Sequence, residues 1–564
     1  MNQPQATLTP ELVDNVRDIK KLRYALKNQR RVTDFDPHKP MSTLLPSREV
    51  GENLLQLYLE TLEPIYRIPC MPDFRKAFVR CWSNPDAVQS SSLVAILLVF
   101  SIGSTFYDGQ DANHVRSLAR HWFYAAQWWL IGPDENSVFS YQGVQIRCLL
   151  LLSQQVLFIG KVGSALTTSG SLLQHAMSLG LHRDPDHFKN LSIKDAELRR
   201  RLWETVVELV LQVSIDSSLP PLIRWGDFDT EGPKNVSDES LETGECLPDH
   251  VWTGSSIQVL LYKSRRLRME VASFISEPDR DRSYERANIL AVQLEAACAG
   301  LNPPKQSTSA SPPDAKARWN EFQSKFLMLI HHKLLMLLNR PFMLESKNDR
   351  RLHFSRMRAV DSARTMVSLY GVSEDSIAPH DRFQTMSNKG AGIFKSSIGT
   401  DVVATLSAEI MLKVNEMQLD PTAFDTRFEM ERTRSFIKTV SNVKEALEAL
   451  IGAGEPSLQR YLLLSCSLAH YLALLNGASP ILYVQDALQK GLEMGKRHFE
   501  RHLTEPLQES SNTKDSDHET TGALQDSTTE AAGFDQSTLQ HFDQDLNLPV
   551  SWLFSMWNDE SFLI

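Results

Sequence analysis

Two short stretches of this chain hold the residue types that phosphoryl transfer needs. "LGLHRDPDHFKN" contains His182-Arg183-Asp184, and "WGDFDTEG" contains Asp227-Phe228-Asp229. In a kinase the H-R-D aspartate takes the hydroxyl proton, while an asparagine on the same loop and a D-F-G aspartate hold magnesium. That chemistry is positioning, so spacing decides it. Here five residues separate Asp184 from Asn190, Pro185 stiffens the gap, and Asp227 lies 43 residues beyond Asp184. The second stretch lacks its glycine. The pairs Gly390/Gly392 and Gly452/Gly454 lack the third glycine of a phosphate-covering loop, and "VAILL" (Val94 to Leu98) lacks a lysine. The phosphoryl-transfer reading fails on each count.

Other chemistries fare no better. Asp227, Asp229 and Glu231 have no base or nucleophile beside them, so capping and solvation are the expected roles. His331 and His332 are adjacent, hence about 100° apart on a helix, which suits a shared metal poorly. They read as a partly buried surface pair. The six cysteines form no C-x-x-C, which excludes a zinc ribbon, a finger or a redox pair, and most lie in apolar runs that suit reduced thiols. No catalytic, metal or cofactor-binding residue is assigned, and the chain is not read as an enzyme.

The elements around these residues are helices. In "GKVGSALTTSGSLLQHAMSLGLHRDP", Val162, Ala165, Leu166, Leu172, Leu173, Ala176 and Met177 keep a three-four rhythm. Gly180 supplies a left-handed stop, His182 and Arg183 sit at the negative end of the helix dipole, and Pro185 blocks continuation. "SIKDAELRRRLWETVVELVLQVSID" begins with Ser192 and Asp195 in a near capping box, and Leu202 and Val206 belong to its core face. Arg199, Arg200 and Arg201 are expected on the solvated faces, with Glu204 and Glu208 positioned for i,i+4 pairs. A loop punctuated by proline then leads to Asp227.

The chain as a whole has 564 residues, 42% hydrophobic and 23% charged, which fits a soluble globular protein with ample core. No secretory leader is evident at the start, and the longest apolar run, Leu93 to Phe100, is too short to cross a bilayer. Strand-like alternation is scarce. The expected fold is all-α: a large multi-helix domain with a disordered acidic C-terminal tail. Residues 1–44 read as a polar helix and linker, with Thr9 to Arg31 either a small dimer helix through Leu12, Ile19, Leu22 and Leu26 or a loosely attached surface helix. Residues 45–501 form the helical body, and 502–541 an acidic Ser/Thr-rich linker too poor in large apolar residues to fold. Net charge is −10 overall, yet −11 of charge lies in 505–564 alone. Segment 542–564 sets Phe542, Leu546, Trp552, Phe554, Trp557 and Phe562 among acids, the composition of an activation motif that folds into a partner's groove.

The run A-x-x-L-G-L-H-R-D (Ala176 to Asp184), E-L-R-R-R-L-W (Glu197 to Trp203) and D-x-D-T-x-x-P-x-N (Asp227 to Asn235) resembles the regulatory middle homology region of fungal transcription factors. "LPSREVGENLLQLYLETLEPIYRIPCMPDF" looks like that family's entry helix, and "HHKLLMLLNRPF" like a later helix that ends in R-P-F. The resemblance extends over roughly 45–501. It implies structural roles for Gly180, His182, Arg183, Asp184, Arg199, Arg200, Arg201, Leu202, Trp203, Asp227 and Asp229. It further implies a nuclear regulator of transcription by RNA polymerase II, acting on a metabolic or biosynthetic gene set. A small-molecule effector is its expected input, and the tail is expected to meet the transcription machinery or a coactivator. The family's binuclear zinc cluster has no counterpart before Cys70, so no cofactor is assigned: either the sequence begins after the DNA-reading module, or DNA contact is indirect or lost. A homo- or heterodimer with a zinc-cluster factor follows, with no membrane partner. The alternatives are a coregulator or inhibitor that pairs with such a relative, and an α-helical enzyme with no recognisable site.

Overall fold

A computed structural model describes residues 10–29, 35–132, 135–157, 162–248, 251–277, 283–301, 320–371, 381–419, 427–455 and 458–504. Among them every regular element is a helix, as the scarcity of alternating β-branched segments requires. In chain order the α-helices are α1 (Pro10–Gln29), α2 (Arg48–Thr61), α3 (Glu63–Tyr66), α4 (Met71–Ser83), α5 (Ser90–Gly103), α6 (Ala112–Leu130), α7 (Glu135–Val138), α8 (Tyr141–Val156), α9 (Val162–Ser178) and α10 (Ile193–Asp216). There follow α11 (Ser256–Lys263), α12 (Arg265–Ile275), α13 (Tyr284–Ala299), α14 (Glu321–Glu345), α15 (His353–Leu369), α16 (Arg382–Lys389), α17 (Thr400–Leu419), α18 (Arg427–Gly452), α19 (Gln459–Leu475) and α20 (Pro480–Thr504). Of the linker expected over 502–541, residues 502–504 complete α20. The rest, with segment 542–564 and its Phe542, Leu546, Trp552, Phe554, Trp557 and Phe562, lies outside the described residues.

The helices group in two units, 32–405 and a second made from 1–31 with 406–564. The division falls within α17, inside the span that the sequence reads as one body. In the unit 32–405, α5 is apolar all round, and Val94, Ile96 to Phe100 and Ile102 are all fully buried, packed by α2, α6 and α8. Gly103 makes this possible: a Cβ there would lie 2.3 Å from the carbonyl oxygen of Leu54 on α2. A further apolar cluster joins Val271 and Phe274 of α12 to Leu290 and Leu294 of α13 and to Leu334 and Leu338 of α14. The R-P-F run does not end its helix as expected. α14 continues through Pro341 to Glu345. Phe342 and Met343 are buried, and Arg340 reaches Asp401 at 2.9 Å, so packing holds the turn that loses a backbone hydrogen bond to proline.

In the unit that contains both 1–31 and 406–564, α1 packs against α20 and α19 against α20. Ile19 and Leu26 are buried there, and Lys496 reaches Asp18 at 3.4 Å. This corrects the expectation of a loosely attached helix. The face that a dimer zipper through Ile19 and Leu26 needs already lies in the core of its own unit.

Candidate functional site

The family-like residues converge on the N-terminal half of α10. α9 closes in a Schellman motif: Gly180, at φ 70°, donates to the Met177 carbonyl at 2.9 Å, and Leu181 donates to that of Ala176 at 3.1 Å. The chain turns there and His182-Arg183-Asp184 follows. Ser192 starts α10, its hydroxyl accepting from the Asp195 amide at 3.0 Å. Asp195 is too short to return to the Ser192 amide, and instead accepts from the Ser192 hydroxyl at 2.7 Å.

Asp184 is a clamp point rather than a base. Arg200 donates to both its oxygens, Nη2 at 2.7 Å and Nε at 3.1 Å, while the amides of Asp186 and Glu231 add bonds of 2.9 Å each. Burial pushes its carboxyl upward, but the Arg200 fork and these amides win and hold it down at about 2. The D-F-D-T loop is laced to the same turn. The Asp229 amide donates to the His182 carbonyl at 3.1 Å, Asp229 Oδ1 accepts from the Asp184 amide at 2.8 Å, and Thr230 donates to the Leu181 carbonyl at 2.7 Å. Arg183 and His187 pair with Asp229 on the outside at 2.9 and 3.2 Å. Asp227 caps its own turn by accepting from the Arg224 amide at 2.7 Å. Leu202 and Trp203 are fully buried, and the Trp203 ring packs 5.5 Å from Phe228. The kinase-like letters thus mark two loops tied to one arginine.

The three arginines correct the expected solvated face. Arg199 donates to the Leu179 carbonyl at 2.9 Å and lies over the Phe188 ring. Arg200 and Arg201 are buried, at 4% and 2% exposure. Arg201 pairs with Glu197 at 3.2 Å and Asp238 at 2.8 Å, and donates to the Val236 carbonyl at 2.7 Å. Asp238 is shared with Arg67, which also binds Glu63 at 2.6 Å. Glu204 does not pair with Arg200 one turn earlier, and neither it nor Glu208 stays on a solvated face, because α12 packs along α10 and brings Arg265 and Arg268 to them, at 2.5 and 2.7 Å. All four side chains are 1% exposed. The last rung joins Asp216 to Lys333 of α14.

These partners on α12 and α14, with Arg67 and Asp238, were missed by the sequence reading. One signal was available. Glu204 and Glu208 stand four apart on α10 and Arg265 and Arg268 three apart in "SRRLRME", the spacings of two facing ridges.

The ladder is a low-dielectric charge system. Burial raises the carboxyls of Glu204 and Glu63, and the facing Arg265 and Arg67 oppose that rise. Arg265 also lies under three rings, Tyr262, Phe228 and Trp225, at 4.7, 4.9 and 5.3 Å. His331 is fully buried, contrary to the expected half-exposed pair. Its Nδ1 donates to the Leu327 carbonyl at 2.8 Å, which leaves Nε2 to meet the Ser264 hydroxyl at 2.9 Å. Burial first, and then Arg268, depress it to about 3. Among the described residues no group of three His, Cys, Asp or Glu side chains is placed to hold a metal, and no helix is long and apolar enough to cross a membrane. Two cavities border the ladder, about 380 Å³ beside Glu197 and Arg200, and about 620 Å³ beside Asp238 and Trp252.

Residues 55–278, which contain the Asp184 clamp and the rungs through Arg268, match the family model described as "Fungal specific transcription factor domain". Over residues 55–278 the chain matches a fungal-specific transcription factor domain. Its relatives bear names of the same kind. "Transcription factor opdR" of Penicillium oxalicum is 32% identical over 85% of this chain and 63% of its own length. "Transcription factor lepE" of Aspergillus flavus is 34% identical over 57% of this chain and 38% of its own. "Aspyridones cluster regulator apdR" of Emericella nidulans is 33% identical over 51% of this chain and 40% of its own. The chain therefore spans less than two thirds of the length of each of these relatives. No solved structure matches. Within the fungal-specific transcription factor domain, H-R-D and D-F-D-T are the two loops that Arg200 and Asp184 lock to α10.

Proposed function

We propose that this chain is a fungal-type regulator of transcription by RNA polymerase II, acting in the nucleus on a biosynthetic gene set. The observation that carries the reading is the match of 55–278 to the transcription factor domain. The relatives' names support the gene-set part, one being called a cluster regulator. In this reading the domain is the regulatory body and the acidic aromatic tail recruits a coactivator or the transcription machinery. The sequence given holds no run of six closely spaced cysteines. Base reading is assigned either to a zinc cluster outside the sequence given or to a zinc-cluster protein paired with it, because Cys81, Cys148 and Cys466 are buried in three separate helices and the cysteines stand far apart in sequence. The same observation favours a second reading, a coregulator that holds such a partner off DNA.

Chromatin occupancy of the tagged chain, measured with transcript levels in cells with and without it, tests both. Discrete promoter peaks at genes whose transcripts fall when the chain is removed are expected. Transcripts that rise with no peaks favour the coregulator, and no peaks with no transcript change overturns both readings. For the tail, Trp552→Ala, Phe554→Ala and Trp557→Ala together are expected to remove most reporter activation when 505–564 is tethered to DNA. Unchanged activation would leave the tail without this role.

A further inference from the structure

The cavity of about 380 Å³ at the start of α10 lies against the guanidinium that locks both loops. Phe188, Leu191 and Val236 give it apolar wall, and Arg200 and Lys234 bring cations to its lining. Arg200 is 4% exposed. Its Nε and Nη2 are committed to Asp184, and Nη2 lies 2.8 Å from Asp186 as well. Its Nη1 makes no hydrogen bond among the described residues, yet it is not one of the nitrogens sealed from the surface. Since Arg200 lines the cavity, the N–H groups of Nη1 open into it. The acids of the lining offer less. Glu197 has one oxygen sealed, and the other accepts from Arg201 and from the Lys234 amide. Asp186 is held on Arg200 and faces bulk water, 80% exposed. The inner wall thus presents a guest with donors.

We propose that this cavity binds an apolar molecule carrying a carbonyl-type oxygen, which accepts from Arg200 Nη1 while the apolar part lies against Phe188, Leu191 and Val236. A guanidinium N–H left without an acceptor in a mostly buried site is costly, and the guest's oxygen recovers that cost. Asp184 and Asp186 already balance the guanidinium, so the acceptor needs no charge of its own. An ammonium guest meets Arg200 and Lys234 as like charges and finds no unused acceptor on the inner wall. The inference rests on the regulatory reading only for its purpose, as the effector site of that reading. Occupancy reaches the clamp directly, because the same guanidinium holds Asp184, whose amide ties in the Asp229 loop.

Saturation-transfer NMR titrations of the full chain with three probes of one skeleton, acetophenone, ethylbenzene and 1-phenylethylamine, provide the test. Acetophenone is expected to bind about tenfold tighter than ethylbenzene, the gain from one hydrogen bond to a charged donor. The ammonium probe is expected to bind no better than ethylbenzene. Arg200→Lys keeps a cation for Asp184 but removes Nη1, and is expected to erase the ketone's advantage while ethylbenzene still binds. Ala196→Phe fills the cavity from its half-buried wall and is expected to abolish binding of all three. Unfolding midpoints record that each variant still folds; if Arg200→Lys does not, the ranking of the probes and Ala196→Phe decide. Ethylbenzene or the ammonium probe binding as tightly as the ketone overturns the proposal. So does a ketone preference that survives Arg200→Lys, binding that survives Ala196→Phe in a folded chain, or no binding by any probe. None of these results bears on chromatin occupancy, so the transcriptional reading stands or falls separately.

Discussion

Arg265→Ala is expected to lower the unfolding free energy by about 3–5 kcal/mol, the usual cost of removing one partner from a buried ion pair. The pair is Glu204 Oε2 with Arg265 Nη1 at 2.5 Å, each side chain 1% exposed. The variant strands Glu204, whose second oxygen already lacks a partner, and removes the cation beneath Tyr262, Phe228 and Trp225. Urea unfolding of the full chain measures the loss. The companion double variant Glu204→Leu with Arg265→Met is expected to recover most of it, because well-packed apolar residues often replace buried ion pairs at little cost. A single variant within about 1 kcal/mol of wild type would mean that water reaches Glu204 and that the rung is not desolvated.

The second large effect is an acid sensitivity set by His331. Its folded-state value of about 3 lies below the unfolded value near 6.5. The unfolded chain therefore binds the proton more readily between these values. The neutral imidazole's stabilisation is complete above about pH 6.5 and is lost progressively as pH falls toward 3. By pH 4 the loss amounts to about 3 kcal/mol, at about 1.4 kcal/mol per pH unit. His331→Gln keeps a donor and an acceptor for Leu327 and Ser264, and is expected to flatten this part of the stability profile. Denaturation midpoints of both proteins between pH 4 and 7 provide the check. Parallel profiles would place the acid sensitivity elsewhere, for instance at His175, which burial holds at about 4.

Much of this architecture could be read from the residues alone. Helices, the Gly180 stop and the Ser192 start are local decisions, made by periodicity and by backbone groups within four or five residues of one another. The character of Asp184 was partly legible as well, since spacing alone removed it from kinase chemistry. Its partner was not. Arg200 is sixteen residues away, across a helix end whose turning angle no pattern encodes. The same limit explains the three-arginine error. Spacing of four suggests Arg200 with Glu204 and is correct for Glu197 with Arg201. Which acids keep their local partner depends on α12 lying against α10, a tertiary fact that overrides an interaction worth only a few tenths of a kcal/mol. For His331 and Pro341 the outcome followed packing: burial fixed the histidine neutral, and Phe342 with Met343 carried α14 past the proline.

α1 leaves the ribosome first among the described helices, and α20, which covers Ile19 and Leu26, leaves last. Synthesis at about 5–20 residues per second separates the two by some tens of seconds. Throughout that interval α1 has no native cover for its apolar face, while helices of the unit 32–405 emerge and pack. The packing of α1 against α20 can only be completed after translation of α20. The interval is a window in which a chaperone, or the helix of another nascent chain, meets α1 before its own partner exists.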